Sequence, residues 1–236
     1  MTRDDHPRSY ASPPCYAREV DPSYFDPRGA DPQQALDVGR WRKAERQRLR
    51  AARLAVPVAN RSSMATAVAG HLDAWLEARF GPVAGRVISG YWPIKAELDL
   101  RFWLADLHAR GARVALPVVE VQAAPLAFRA WQPGMAMAHG HWNIPVPPPD
   151  ADLLIPEVAL SPVVGWDDAG YRLGYGGGYF DRTLAALDPR PIAVGAGFEL
   201  ARVASIRPQP HDLPMDWVVT ETGLFRRGAR GLSAEE

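Results

Sequence analysis

Residues 172–182 read RLGYGGGYFDR, with glycine at four of the five positions from 174 to 178 and an aromatic pair, an acid and a base just after. In a regular element each glycine costs about 0.5–1 kcal/mol relative to alanine, so this stretch serves a geometry that side chains would spoil. Close approach of backbone to a phosphate is one such geometry, and a tight structural turn is another. A glycine-rich turn that opens a helix presents unpaired N–H groups at the positive end of the helix dipole, which together make an anion site. Asp181 falls in the first turn of the expected helix, GYFDRTLAAL, where a carboxylate beside phosphates suits Mg2+. Arg172 and Arg182 flank the loop and can neutralise phosphate charge. The stretch is not a Walker loop, since no Gly-Lys-Ser/Thr follows, and it lacks the G-x-G-x-x-G spacing of a dinucleotide site. On spacing alone, phosphate binding and a structural turn stand about equal.

A second cationic group lies far upstream. WRKAERQRLRAARLAV (41–56) is strongly helix-forming, and Arg42, Arg46, Arg50 and Arg53 recur at spacings that put them on one face. Such a ridge is either a solvated surface or a wall facing a polyanion such as ATP. Like charges repeated on one face are destabilising, which favours a function.

The elements that must position these groups alternate. HLDAWLEARF (71–80) reads as an amphipathic helix and RVISGYW (86–92) as a short buried strand. Leu100, Trp103, Leu104 and Leu107 form an apolar stripe that stops at Gly111, and RVALPVV follows as a strand. That is a strand–helix–strand unit of a parallel sheet. PLAFRAWQP reads as a hairpin strand, HGHWNIPVPPPDA as a proline-rich surface loop, and 152–174 as one or two buried strands with a turn at Asp167–Gly170. RPIAVGAGF and DWVVTETGLF supply the last strands. The expectation is an α/β fold: one layered, Rossmann-like domain with a mostly parallel central sheet flanked by helices. Its bounds are read as 41–225, after an irregular N-terminal arm at 1–40 rich in proline and aspartate, and before a tail at 226–236.

Composition narrows the class. The 236 residues are 47% hydrophobic, enough for a substantial core, and 27 basic residues balance 27 acidic ones. A nucleic-acid partner calls for a basic excess that is missing. Cys15 is the single cysteine, which leaves no intrachain disulfide and no cysteine metal cluster. MTRDDHPRSY lacks the apolar run of a secretory signal, and no stretch approaches the ~18 apolar residues of a membrane span. A soluble cytoplasmic protein, with no nucleic acid or membrane partner, is the expectation. Of the aromatic residues, Trp41, Trp75, Trp92 and Trp103 read as core. The loop histidines His139 and His141 read as solvated, and His211 reads as either orienting Asp212 or capping a turn.

The longer stretch GWDDAGYRLGYGGGYFDRTLAAL resembles the 5-formyltetrahydrofolate cyclo-ligase family, also called methenyltetrahydrofolate synthetase. Trp166, Asp167, Gly170, Arg172, Leu173, Gly174, Gly176, Gly178, Tyr179, Phe180 and Asp181 fit that family's signature without gaps. YWPIKAELDL (91–100), HWNIPVP (141–147) and HDLPMDWVVTE (211–221) resemble further family blocks in the same order, so the likeness spans about 41–225. It implies cyclisation of 5-formyltetrahydrofolate to 5,10-methenyltetrahydrofolate, with ATP as co-substrate, Mg2+ as cofactor, and ADP and phosphate released. It implies that Arg172 and Asp181 are catalytic. The glycine loop (Gly174, Tyr175, Gly176, Gly177, Gly178, Tyr179) would hold the triphosphate with Arg42, or its neighbour Lys43, and Arg46. Glu97, Trp142 and Tyr179 would line the folate pocket, and Asp181 and Asp212 would be the metal acids. The partners are then ATP and a reduced folate, in a monomer or homodimer. Two departures stand out. Tyr175 and Gly177 occupy loop positions where some members are basic, and Val163 sits where glycine is common. The competing readings are a paralogous ATP-dependent enzyme acting on another carbonyl substrate, and a non-catalytic nucleotide- or folate-binding protein.

Overall fold

The computed structural model describes residues 32–234. Two long helices open the chain, α1 (Pro32–Ala55) and α2 (Val58–Phe80). They break at Pro57, which lacks an N–H and disfavours helical backbone at the residue before it. α2 ends at Gly81, whose positive φ of 66° and N–H bond to Glu77 O close the last turn. The remaining elements are β1 (Val87–Ser89), α3 (Arg101–Ala109), β2 (Arg113–Val118), β3 (Ala127–Ala130), β4 (Ala138–His139), β5 (Pro145–Val146), β6 (Val158–Pro162), β7 (Gly165–Asp167), β8 (Arg172–Leu173), α4 (Tyr179–Ala186), β9 (Ile192–Ala196), β10 (Arg202–Val203), β11 (Trp217–Thr220), β12 (Gly223–Gly228) and β13 (Gly231–Ala234).

Eight strands form the main sheet in the order β13-β12-β11-β9-β6-β1-β2-β3. Its middle, β11, β9, β6, β1 and β2, is parallel, and antiparallel strands close both edges. The α/β, mostly parallel architecture expected from the sequence is therefore present. The central strands are near-continuous apolar runs, as buried parallel strands are; α2 packs on β11 and β12, and α3 on β2, the two helices meeting through Trp103 and Asp73. The core centres on Trp103, Trp166, Phe198, Leu72, Leu76 and Ile88. Both buried indoles find acceptors, Trp103 at Asp73 and Trp166 at the Phe198 carbonyl. Val163 fits because two glycines make room for it; a Cβ at Gly195 or Gly197 would meet its methyls at 3.2 or 2.3 Å.

Several boundaries differ from the sequence reading. Residues 32–40, read as irregular, are the first turns of α1, while 1–31, including Cys15 and the arm's tyrosines, lie outside the described residues. α2 starts thirteen residues before His71. In its polar first half Ser62, Ser63 and Thr66 satisfy their hydroxyls on carbonyls four residues earlier, within the helix itself. The segment read as a tail is the end of β12 and all of β13 through Ala234. Among the described residues, no helix is long and apolar enough to cross a membrane.

Candidate active site

The site lies where parallel strands end. In such sheets the chain turns away at the carboxyl ends and leaves a crevice. Here the crevice is walled by Tyr91 and Glu97 beyond β1, Pro117 and Val119 at the end of β2, and Ser161 and Pro162 closing β6. The glycine loop runs across one side and the Trp142 loop across the other.

The loop's glycines divide by cause. Gly176 (φ 102°) and Gly178 (φ 64°) occupy left-handed backbone that L side chains rarely adopt. A Cβ at Gly177 would strike the Tyr179 ring at 2.8 Å. Gly174 has no such constraint; its Cβ would point into open space, so the fold leaves its lack of a side chain unexplained. Gly178 caps α4 without a side-chain hydrogen bond. The N–H groups of 175–178 donate to no backbone carbonyl among the described residues. These amides are thus left without backbone acceptors at the positive end of α4, where Gly174, Tyr175 and Gly177 line the crevice.

Two charged residues of the motif meet behind this loop. The side chain of Arg172 is buried; Nη1 donates to Leu213 O at 3.0 Å. Nη2 sits 2.9 Å from Asp181 Oδ1 but is misaligned for a hydrogen bond, so this buried donor has no aligned acceptor. Asp181 Oδ1 accepts the Leu213 N–H at 3.0 Å. Both residues line the crevice. Asp167, also in the motif, is structural: it accepts N–H bonds from Ala169, Tyr171 and Ile206 and so pins the turn that leads into β8.

α1 lays its arginine face against the loop. Arg46 Nε donates to Gly174 O at 2.7 Å, Arg50 stands over the Tyr175 ring at 5.5 Å, and Arg53 Nη2 donates to the Tyr175 hydroxyl at 2.7 Å. Arg42 departs from the expected role. It is 6% exposed, and its guanidinium is taken by Ile206 O, Arg207 O and both oxygens of Asp212. Arg42 was expected to face ATP and Asp212 a metal; here the two are paired with each other, and Gln209 N–H donates to Asp212 at 2.6 Å. Lys43 lies exposed beside Arg42. His211 Nε2, at 3.9 Å from Asp212 Oδ1, is too far to orient it by a hydrogen bond.

On the opposite wall Glu97 is 7% exposed. Its Oε2 accepts the Ile94 N–H at 2.9 Å, while Oε1 is buried without a partner. Burial pushes its carboxyl up to about 7, against the Ile94 N–H, Arg53, Tyr175 and Lys95, which pull it down. The preceding residues, Lys95 and Ala96, have φ of 48° and 63°, and across from them Trp142 and Asn143 have 57° and 58°. Non-glycine residues held there store strain of about 1–3 kcal/mol each, the kind that clusters at functional sites.

Glu97, Trp142 and Tyr179 therefore share one crevice with Arg172, Asp181 and the loop. Sequence reasoning missed Tyr91, Ser161, Trp92 and His141, which line it too. Trp92, read as core, is a wall residue stacked under Arg101 at 4.9 Å. His141, read as solvated, touches both Trp142 and Tyr179. Tyr91, Trp92 and Ser161 sit at or just beyond the ends of β1 and β6, a signal that a sequence shows only once the sheet order is known.

Comparison with known proteins points to one family. Residues 38–221 match the model of the 5-formyltetrahydrofolate cyclo-ligase family. A protein of Mycolicibacterium smegmatis named 5-formyltetrahydrofolate cyclo-ligase is 35% identical over 71% of this chain and 87% of its own. One from Escherichia coli K12 with the same name is 29% identical over 61% and 82%. Among solved structures, the 5,10-methenyltetrahydrofolate synthetase of Aquifex aeolicus superposes with a TM-score of 0.65 at 25% identity, covering 83% of this chain and 96% of its own. That of Mycoplasma pneumoniae gives 0.62 at 22%, covering 76% and 98%, a likeness of fold.

Proposed function

The chain belongs to the 5-formyltetrahydrofolate cyclo-ligase family, and from that premise we propose that it cyclises 5-formyltetrahydrofolate to 5,10-methenyltetrahydrofolate with consumption of ATP. The observation that carries the proposal is that one crevice joins a glycine loop whose amides lack backbone acceptors to a buried, half-satisfied carboxyl with aromatic residues in the same lining. The first half suits a triphosphate, the second a flat heterocycle bearing N–H groups.

A formamide oxygen is a poor leaving group. In the proposed sequence the formyl oxygen attacks the γ-phosphorus of ATP and the bond to ADP breaks. N10 then adds to the activated formyl carbon and loses its proton to water. The C–O bond breaks and the oxygen departs with phosphate. The protein's part is positioning and charge stabilisation. The amides of 175–178 and the α4 dipole receive the phosphates, and Arg46 braces the loop through Gly174 O. Arg172, buried and ion-paired with Asp181, brings a cation to the charge that develops on the transferring group. Glu97 Oε1 accepts N–H groups of the folate ring, while Trp142 and Tyr179 cover its faces.

The donor set fits Mg2+ in part. Asp181 stands at the loop as an oxygen ligand, and Mg2+ needs only one or two carboxylates besides phosphate oxygens and water; Asp212 is held by Arg42. Bound there through Asp181, Mg2+ would neutralise phosphate charge.

Mixing the protein with Mg-ATP and 5-formyltetrahydrofolate, and following the near-ultraviolet absorbance of the methenyl product, tests the reading. A rise that needs all three supports it. ATP turnover indifferent to folate points to another carbonyl substrate. Asp181→Ala should reduce turnover by at least about 100-fold with little change in melting temperature. Turnover near wild type would remove Asp181 from the site.

A further inference from the structure

Tyr175 sits in the glycine loop, yet its side chain works elsewhere. Its hydroxyl accepts a hydrogen bond from Arg53 Nη2, and Arg53, from α1, is 3% exposed. Tyr175 lines the same crevice as Glu97, on the segment beyond β1, and its hydroxyl and that carboxyl influence each other's titration. Arg50 and Lys95 stand over the Tyr175 ring at 5.5 and 5.2 Å, and Trp142 meets it edge-on at 6.3 Å. Three segments far apart in sequence converge on one phenol in the crevice that Glu97 lines.

We infer that Tyr175 is a positioning residue whose hydroxyl, held by Arg53, orients Glu97 toward the folate ring and so ties folate recognition to the placement of the glycine loop. The inference rests on the functional reading above. A phenol has one proton and two lone pairs. With Arg53 donating to a lone pair, the proton is left for the carboxylate. Burial pushes the Tyr175 hydroxyl well up, so it stays a donor throughout the working range. Glu97 must be ionised to accept two N–H groups, and burial opposes this. Arg53, Tyr175 and Lys95 oppose burial in turn. The other titratable and charged groups near Glu97 are accounted for. Tyr91, raised by its own burial, donates to Leu98 O. Asp99 is paired with Arg101, and Arg61 bonds to Val56 O.

Tyr175→Phe keeps the ring and deletes the hydroxyl. At near-neutral pH the KM for 5-formyltetrahydrofolate should rise about tenfold, with kcat and the ATP KM within about twofold. The acidic limb of kcat/KM for folate, which reports the free enzyme, should move to higher pH. Arg53→Met should move it the same way, with circular dichroism showing both variants folded. In Glu97→Gln that limb should vanish, and adding Tyr175→Phe should leave the folate KM unchanged. An unmoved acidic limb in folded Tyr175→Phe overturns the inference, whether folate KM stays at the wild-type value or the loss falls on ATP KM or kcat. A wild-type protein that forms no methenyl product would instead remove the functional reading beneath it.

Discussion

In the proposed function Glu97 carries two demands that conflict: it must be charged to receive a folate ring, and it is buried where charge is disfavoured. Its carboxyl titrates near 7 in the fold, against 4.5 ordinarily, chiefly through burial. The linkage follows from that direction. A carboxyl raised on folding leaves stability intact below about pH 4.5 and removes it progressively up to about 7. Glu97→Gln should therefore be more stable than wild type in urea above pH 7, by up to about 3 kcal/mol, with the gap closing toward pH 4.5; a gap that does not depend on pH would contradict this. Arg42 and Asp212 show the opposite economy. Both side chains are below a tenth exposed and answer each other, with further bonds to Ile206 O, Arg207 O and Gln209 N. Removing one leaves a buried charge alone, so Arg42→Met and Asp212→Asn should each destabilise by about 3–5 kcal/mol. The double variant should lose less than the sum of the two. Additive losses in denaturant melts would show that the two do not act as a pair.

At the scale of elements, the glycine loop separates fold from function within five residues. Gly178 is needed for its backbone: at φ 64° it starts α4, and alanine there should lower stability by about 1 kcal/mol. Gly174 is needed for nothing the fold requires, since a Cβ there meets open space. Gly174→Ala should melt within about a degree of wild type while its ATP KM rises about tenfold or more, read from thermal melts and initial rates on one preparation. A large drop in melting temperature for Gly174→Ala would make that glycine structural. The loop and α4 were legible because their signal is local: glycine density, then an amphipathic octet. α3 was legible for the same reason, its stripe ending at Gly111 with φ 86°. The first half of α2 was not, because serine and threonine there satisfy their hydroxyls on the helix's own carbonyls, which propensity alone counts against a helix. The arginine ridge of α1 was legible as a face, but not which members bind neighbours. Arg42 and Arg53 are buried by segments 122 to 170 residues away.

For the whole molecule, what the sequence could not give was the sheet order. It is the order β9-β6-β1-β2 that sets the ends of β1, β2 and β6 side by side and makes wall residues of Tyr91, Trp92 and Ser161. The same order explains why residues read as a tail matter. β12 and β13 extend the sheet beyond the stretch matched by the family, which ends at 221. They also clamp the turn that feeds Arg172. Leu232 N–H donates to Asp168 O at 2.6 Å, Arg227 Nε donates to Ala169 O at 3.0 Å, and Arg227 packs where a Cβ on Gly170 would collide. That turn is already pinned from within by Asp167, so the hairpin should act mainly on stability. Ending the chain at Gly228 removes β13, leaves the β12 edge unpaired, and deletes the Leu232 bond. The truncated protein should lose about 1–3 kcal/mol, a fall of roughly 2–12 °C in melting temperature for a chain of this size, while keeping kcat within about threefold below the transition. Loss of activity without loss of stability would mean that the hairpin positions Arg172 directly, and the division between pinned turn and stabilising clamp would be wrong.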